Sequence, residues 1–157
     1  IAPGSDGLVA GSIMTAGRTM GTTNGIDLSP DDKTLYVSES EKREVWAYDI
    51  EGAGLANPRL LRRFGEGELD GLRADTDGRL LVTRPGPGTV AILAPDGSIE
   101  REVKLLGKSP TNLTFGGTDG RTIYVTQADG RFIEHFAVER PGREYCLYSA
   151  LPCPAPP

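Results

Sequence analysis

The sequence is poor in cysteine, in histidine and in clustered positive charge. Its 157 residues include two cysteines, one histidine and one tryptophan. Cys146 and Cys153 lie near the end. A disulfide across that short loop and a pair of free thiols both stand open, and two cysteines do not decide a redox compartment. Lysine and arginine total 17 against 22 aspartates and glutamates, a formal net charge of −5, with no basic stripe. A nucleic-acid partner would need such a stripe, so none is expected. No apolar run approaches the ~20 residues of a membrane helix, so no membrane partner is expected either. No window of eleven or more residues carries a clean 3.6-residue apolar period, which leaves little room for helices. The chain opens on Ile1 without a signal-peptide pattern and reads as part of a longer protein.

What is present is turn chemistry and repetition. Glycine (21) and proline (12) are spread at turn-like spacings. The exception is the tail over residues 149–157, which is expected to be irregular because its prolines suit neither a helix nor a central strand. Three segments share one grammar of apolar strand, Asp-containing turn and second apolar strand. They begin at Asn24-Gly25-Ile26-Asp27-Leu28, Asp70-Gly71-Leu72-Arg73-Ala74 and Thr111-Asn112-Leu113-Thr114-Phe115, spaced 46 and 41 residues apart. Asp77-Gly78 and Asp119-Gly120 suit type I′ turns. Third strands are expected at residues 45–49, 89–93 and 132–136. Fourth strands are expected at 59–64 and 99–103, with a weaker one at 144–148.

A repeat of roughly 40–50 residues with four strands each points to propeller blades. The expected fold class is all-β: a β-propeller, of which about three four-stranded blades are present, over residues 24–69, 70–110 and 111–148. Residues 8–14 read as the outer strand of a preceding blade, making residues 1–142 a partial propeller. Three blades cannot close a ring, since propellers have roughly four to eight. A missing N-terminal half or a second chain is expected to complete it.

Most Asp-Gly pairs sit between strands, where turn chemistry explains them. Asn24-Gly25 and Asp70-Gly71 instead open the first strand of consecutive repeats, the strand that lines a propeller's channel. An amide oxygen and a carboxylate converging there are hard-oxygen ligands of the kind calcium prefers, so Asn24 and Asp70 are the candidate metal ligands. The competing reading is that each caps its strand or shapes the preceding loop. Calcium takes about 6–8 oxygens, so further ligands must come from elsewhere. Glu39 and Ser40, Arg84, and Thr126-Gln127 follow inner strands at matching places and are expected to be solvated or strand-pairing. His135 falls away from the axis, which leaves Ser-His-Asp catalysis unsupported. Asn112-Leu113-Thr114 is a glycosylation sequon in an inner strand, expected to be unmodified. Trp46 and Tyr48 are expected to pack between blades.

The ordered set Thr22-Thr23-Asn24-Gly25-Ile26-Asp27-Leu28-Ser29-Pro30-Asp31, Leu35-Tyr36-Val37-Ser38-Glu39-Ser40, Leu69-Asp70-Gly71-Leu72-Arg73 and Pro110-Thr111-Asn112-Leu113-Thr114-Phe115-Gly116-Gly117 resembles the gluconolactonase, regucalcin (senescence marker protein) and luciferin-regenerating enzyme family. The likeness runs from about residue 8 to residue 142. It implies a six-bladed propeller with one divalent metal, calcium foremost, near the axis. The metal is held in that family by an early glutamate, two asparagines and an aspartate. Asn24 matches the second asparagine and Asp70 the aspartate; the other two ligands, and a substrate-contacting arginine, would precede Ile1. The resemblance implies a lactonase, a metal-dependent hydrolase of sugar-acid lactones or related esters with a small-molecule lactone as partner and Asp70 as both ligand and catalytic base. A carboxylate on a cation has a depressed pKa, which favours the ligand role over the base role. The alternatives are a non-catalytic, metal-stabilised binding or scaffold propeller and an inactive truncated piece.

Overall fold

The computed structural model describes residues 19–52 and 54–145. All eleven elements among them are strands. The first sheet is an antiparallel meander of β1 (Thr23–Leu28), β2 (Thr34–Glu39), β3 (Glu44–Glu51) and β4 (Gly54–Arg63). The second repeats it with β5 (Leu72–Ala74), β6 (Leu80–Arg84), β7 (Thr89–Leu93) and β8 (Ile99–Lys104). The third has β9 (Pro110–Gly116), β10 (Thr122–Gln127) and β11 (Ile133–Ala137). The three sheets form an open arc of propeller blades. The expected strand at residues 8–14, the tail at 149–157 and both cysteines lie outside the described residues.

Strand register confirms the repeat alignment independently. Ile26 pairs with Val37, Leu72 with Val82, and Leu113 with Val125. Positions two residues before the first member of each pair are therefore equivalent: Asn24, Asp70 and Thr111.

The two-residue alternation of strands sorts side chains between the seams of the arc. Tyr36, Val45 and Ala47 of the first sheet meet Leu72, Leu80, Val82 and Leu93 of the second. Leu81, Val90 and Ile92 turn the other way, onto Leu113, Ile123 and Val125. Strands β6 and β7 are consequently buried on both faces, and each fully buried leucine or valine contributes about 1.5–3 kcal/mol. Tyr48 and Val37 occupy the first sheet's remaining face, with Trp46 stacked on Tyr48 at 6.5 Å between ring centroids. The third sheet is packed on one face; on the other, Tyr124 and Ile133 are 41% and 66% exposed.

The turns differ from the expected type I′ form. A type I′ turn needs positive φ at both central residues, yet at 77–78 and 119–120 only the glycines have it, at 81° and 70°. The Gly78 amide donates to the Asp75 carbonyl, so the glycine ends the turn and does not occupy its centre. In the first repeat Asp32 stands where the others have glycine, and it adopts φ 58°.

The segment after β11 passes under the arc. Thr76 donates its amide to the Pro141 carbonyl, Asp75 bridges Gly142, and the Arg143 amide donates to Ala74. The Arg143 guanidinium then reaches the first blade, donating to the Ser29 carbonyl at 3.2 Å and lying 3.5 Å from Asp27. It also pairs with Asp32. Asp27 is shared, since its other oxygen accepts from the Ala74 amide at 2.9 Å. This routing explains why Glu144 and Tyr145 do not extend the third sheet as its expected fourth strand: the chain has already turned beneath the second blade. Arg143→Ala should lower the unfolding free energy by about 2–3 kcal/mol, because charged hydrogen bonds at a buried site are lost together. Urea denaturation measures it, and an unchanged midpoint would show that the strap contributes nothing.

Candidate metal centre

The site lies at the end of the arc opposite the strap. Each inner strand begins there, and each ladder is irregular there. Pairing of β1 with β2 shifts register between Thr23 and Ile26, that of β9 with β10 shifts beside Pro110, and β5 joins its ladder only at Leu72. Such irregularities re-aim side chains that a regular ladder would bury between strands. Asn24 is accordingly exposed and Asp70 half-buried.

The adjacent inner strands meet at the residue after each of these positions. The Gly25 amide donates to the Asp70 carbonyl at 3.0 Å, and the Gly71 amide to the Thr111 carbonyl at 2.9 Å. A Cβ on Gly25 would lie 2.5 Å from both the Asp70 carbonyl oxygen and the Leu72 nitrogen, and one on Gly71 would lie 2.9 Å from Asn112 Cα. The glycines are thus required by close backbone approach, and that approach brings Asn24 and Asp70 together. Asn24 lies close enough to the Asp70 carboxyl to act on its titration. Burial pushes the Asp70 carboxyl above its usual range, the Asn24 side chain opposes this, and the negative charge of Glu68 adds to the rise.

Two serines on the β2 side complete the arrangement. Ser38 Oγ accepts from the Gly25 amide and donates to the Asp70 carbonyl, both at 2.7 Å. Ser40 Oγ donates to the Leu69 carbonyl at 2.5 Å and accepts from Asn24 Nδ2 at 3.3 Å. Both follow Tyr36 at two-residue steps, so they face the second blade as Tyr36 does. That alternation was the signal available in the sequence for Ser38, which sequence reasoning did not single out.

Among the other channel-end candidates Thr126 is exposed and strand-paired, whereas Glu39, Arg84 and Gln127 are strand-paired but not solvated. Glu39, Arg84 and Gln127 occupy one register position in the three blades and are 0%, 5% and 4% exposed. Each is held by neighbours: Glu39 by Lys42 at 3.3 Å, Arg84 by Glu102 and by the Phe64 ring, and Gln127 by Glu134 at 2.7 Å. Thr126 Oγ1 lies 2.8 Å from Thr111 Oγ1. His135 is exposed on β11, beside the Tyr124 ring.

Among the described residues no group of three or more His, Cys, Asp and Glu side chains could hold a metal ion. The groups brought together are the Asn24 carboxamide and the Asp70 carboxylate, whose burial is only partly offset. In chemistry they fit a hard cation such as calcium, and in number they would supply two of its ligands.

Three antiparallel sheets with abutting inner strands define part of a propeller, and the candidate ligands lie together where two of those strands start. The chain belongs to the SMP-30/gluconolactonase/LRE-like family, whose model matches residues 8–129. It is 32% identical over 135 residues to a 6-deoxy-6-sulfogluconolactonase from Pseudomonas putida, covering 83% of this chain and 44% of that protein. A gluconolactonase structure from Xanthomonas campestris matches with a TM-score of 0.65 at 25% identity, over 80% of this chain and 39% of that one. Regucalcin from Agrobacterium tumefaciens, a calcium-binding protein, shares the fold with a TM-score of 0.69 at 22% identity, over 76% of this chain and 47% of that one. The chain therefore spans less than half the length of these relatives.

Proposed function

We propose that this chain is part of a calcium-type, metal-dependent lactonase acting on sugar-acid lactones or related esters, with Asn24 and Asp70 as two of its metal ligands. The observation that carries the reading is the Asn24–Asp70 pair, held side by side at the starts of two consecutive inner strands in a member of this family. The names of the relatives support the substrate class, and the calcium-binding relative supports the metal.

When bound, a divalent cation polarises an ester carbonyl and lowers the pKa of water. Asp70 supplies the negative charge for the cation, and its half-buried position leaves that charge without another full partner. Asn24 supplies a neutral oxygen. Glu68 adds negative potential at the mouth. Asp70 acts as ligand first; its basicity for proton transfer falls once a cation shares its charge. The remaining ligands belong to parts of the propeller outside these three blades.

The test is hydrolysis of gluconolactone by the full-length protein before and after chelation. Turnover should fall at least about 100-fold in chelator, some 2.7 kcal/mol of barrier, and return with added calcium. Turnover indifferent to chelation would sink the reading. A non-catalytic propeller would bind calcium without any turnover, so the same experiment separates the two.

A further inference from the structure

Ser40 differs from every residue at its own register. The paired positions Val37, Val82 and Val125 make Ser40 equivalent to Pro85 and Ala128 in the next two blades. Ser38, by contrast, is matched by Thr83, whose hydroxyl also reaches the next inner strand, at the Thr111 carbonyl 3.3 Å away. The Ser38 hydroxyl is therefore a general spacer of the arc. Ser40 places a hydroxyl only at the seam that carries Asn24 and Asp70.

The Ser40 hydroxyl has one proton. It lies 2.5 Å from the Leu69 carbonyl, which cannot donate, so the proton is committed there. Toward Asn24 the oxygen can then only accept. A carboxamide has two chemically different ends, and only its NH2 end satisfies an acceptor. Ser40 is 7% exposed, so the contact is covered on the serine side.

Resting on the metal reading above, we propose that Ser40 is a positioning residue. With the Asp70 carboxylate committed to a cation, it holds the orientation of the Asn24 carboxamide that keeps Nδ2 on the β2 side and leaves Oδ1 for that cation. The selectivity is for orientation and not for the fold of the loop.

A carboxylate has two equivalent oxygens and no orientation to select, which provides the test. Calcium affinity of the full-length protein is read by calorimetry in four forms: wild type, Ser40→Ala, Asn24→Asp, and the double variant. Ser40→Ala should weaken binding about tenfold in the Asn24 background, the usual loss when a group orienting a ligand is removed. In the Asn24→Asp background it should change affinity less than about twofold, since the orientation term is gone. Equal losses in both backgrounds would mean that Ser40 merely supports the loop, and no loss in either would mean that it orients nothing; both overturn the proposal. Asn24→Ala is the separate control: if it leaves calcium affinity intact, the metal reading itself fails. Should Ser40→Ala not fold, Ser40→Cys, a weaker acceptor of similar size, should show the same dependence on background.

Discussion

Asp70→Ala abolishes calcium binding and lowers lactone turnover by at least about 10³-fold in the full-length protein. The magnitude follows from removing the only full negative charge offered at the mouth by these blades' paired candidates, about 4 kcal/mol of barrier. The fold should survive, because the contacts that join the blades use the Asp70 backbone and not its side chain. Its carbonyl accepts from Gly25 and Ser38 of the first blade, while its amide donates to Thr83 within its own. The carboxylate itself is disfavoured where it stands, since burial and Glu68 both raise its pKa. In chelator, then, the unfolding midpoint of Asp70→Ala should equal or exceed that of the wild type. With calcium the order reverses, because bound ligand stabilises only the protein that binds it. Wild-type calcium affinity in the variant would remove Asp70 from the site.

Gly25→Ala is expected to be nearly as damaging, by a different route. The new Cβ would meet the Asp70 carbonyl oxygen and the Leu72 nitrogen at 2.5 Å. Both are backbone atoms of the neighbouring inner strand, so no flexible side chain can yield. The strands must part, at about 1–3 kcal/mol, and parting moves Asp70 away from Asn24. Stability and calcium affinity should fall together. Gly65→Ala is the control: nothing lies within 4 Å of the position a Cβ would take there. Denaturation of both variants decides the matter, and equal stability would show that close strand approach is not what position 25 requires.

The strands were readable from the sequence because their environment is repetitive. An apolar pair flanking an Asp turn recurs three times, and Val37, Val82 and Val125 fall at one register as the alignment required. Thr89–Leu93 was expected at those bounds and is found at them. Strand β4 was expected to begin near Arg59 but starts at Gly54, because the chain turns at Glu51-Gly52, with Gly52 at φ 59°, and pairs at once with β3. Local pattern could not show the burial of Glu39, Arg84 and Gln127. Charged and amide side chains read as solvated, and what allows Arg84 inside is Glu102, 18 residues away, together with the Phe64 ring 4.4 Å from its guanidinium carbon. The pairing of Asn24 with Asp70 was expected from equivalence between repeats. Ser40 reads as a channel-end residue, but its partners, Leu69 before β5 and Asn24 in β1, lie in other segments of the chain.

Arg143 has a consequence for the order in which the molecule can assemble. Each blade is a meander of neighbouring hairpins, and such local pairings form early because short loops cost little entropy to close. The seam between the first two blades is different: its lower end is fastened by a residue 111 to 116 positions downstream of its partners. Asp32 waits in a left-handed conformation that costs roughly 1–2 kcal/mol, and its counter-charge is the last of these groups to leave the ribosome. The core and the Gly25, Ser38 and Ser40 bonds that set Asn24 beside Asp70 all lie upstream of residue 94, so synthesis can form that side of the seam before residue 143 emerges. Arg143 is then the closing residue of the seam, fastening Asp27 and Asp32 after the Asn24–Asp70 side is already in place.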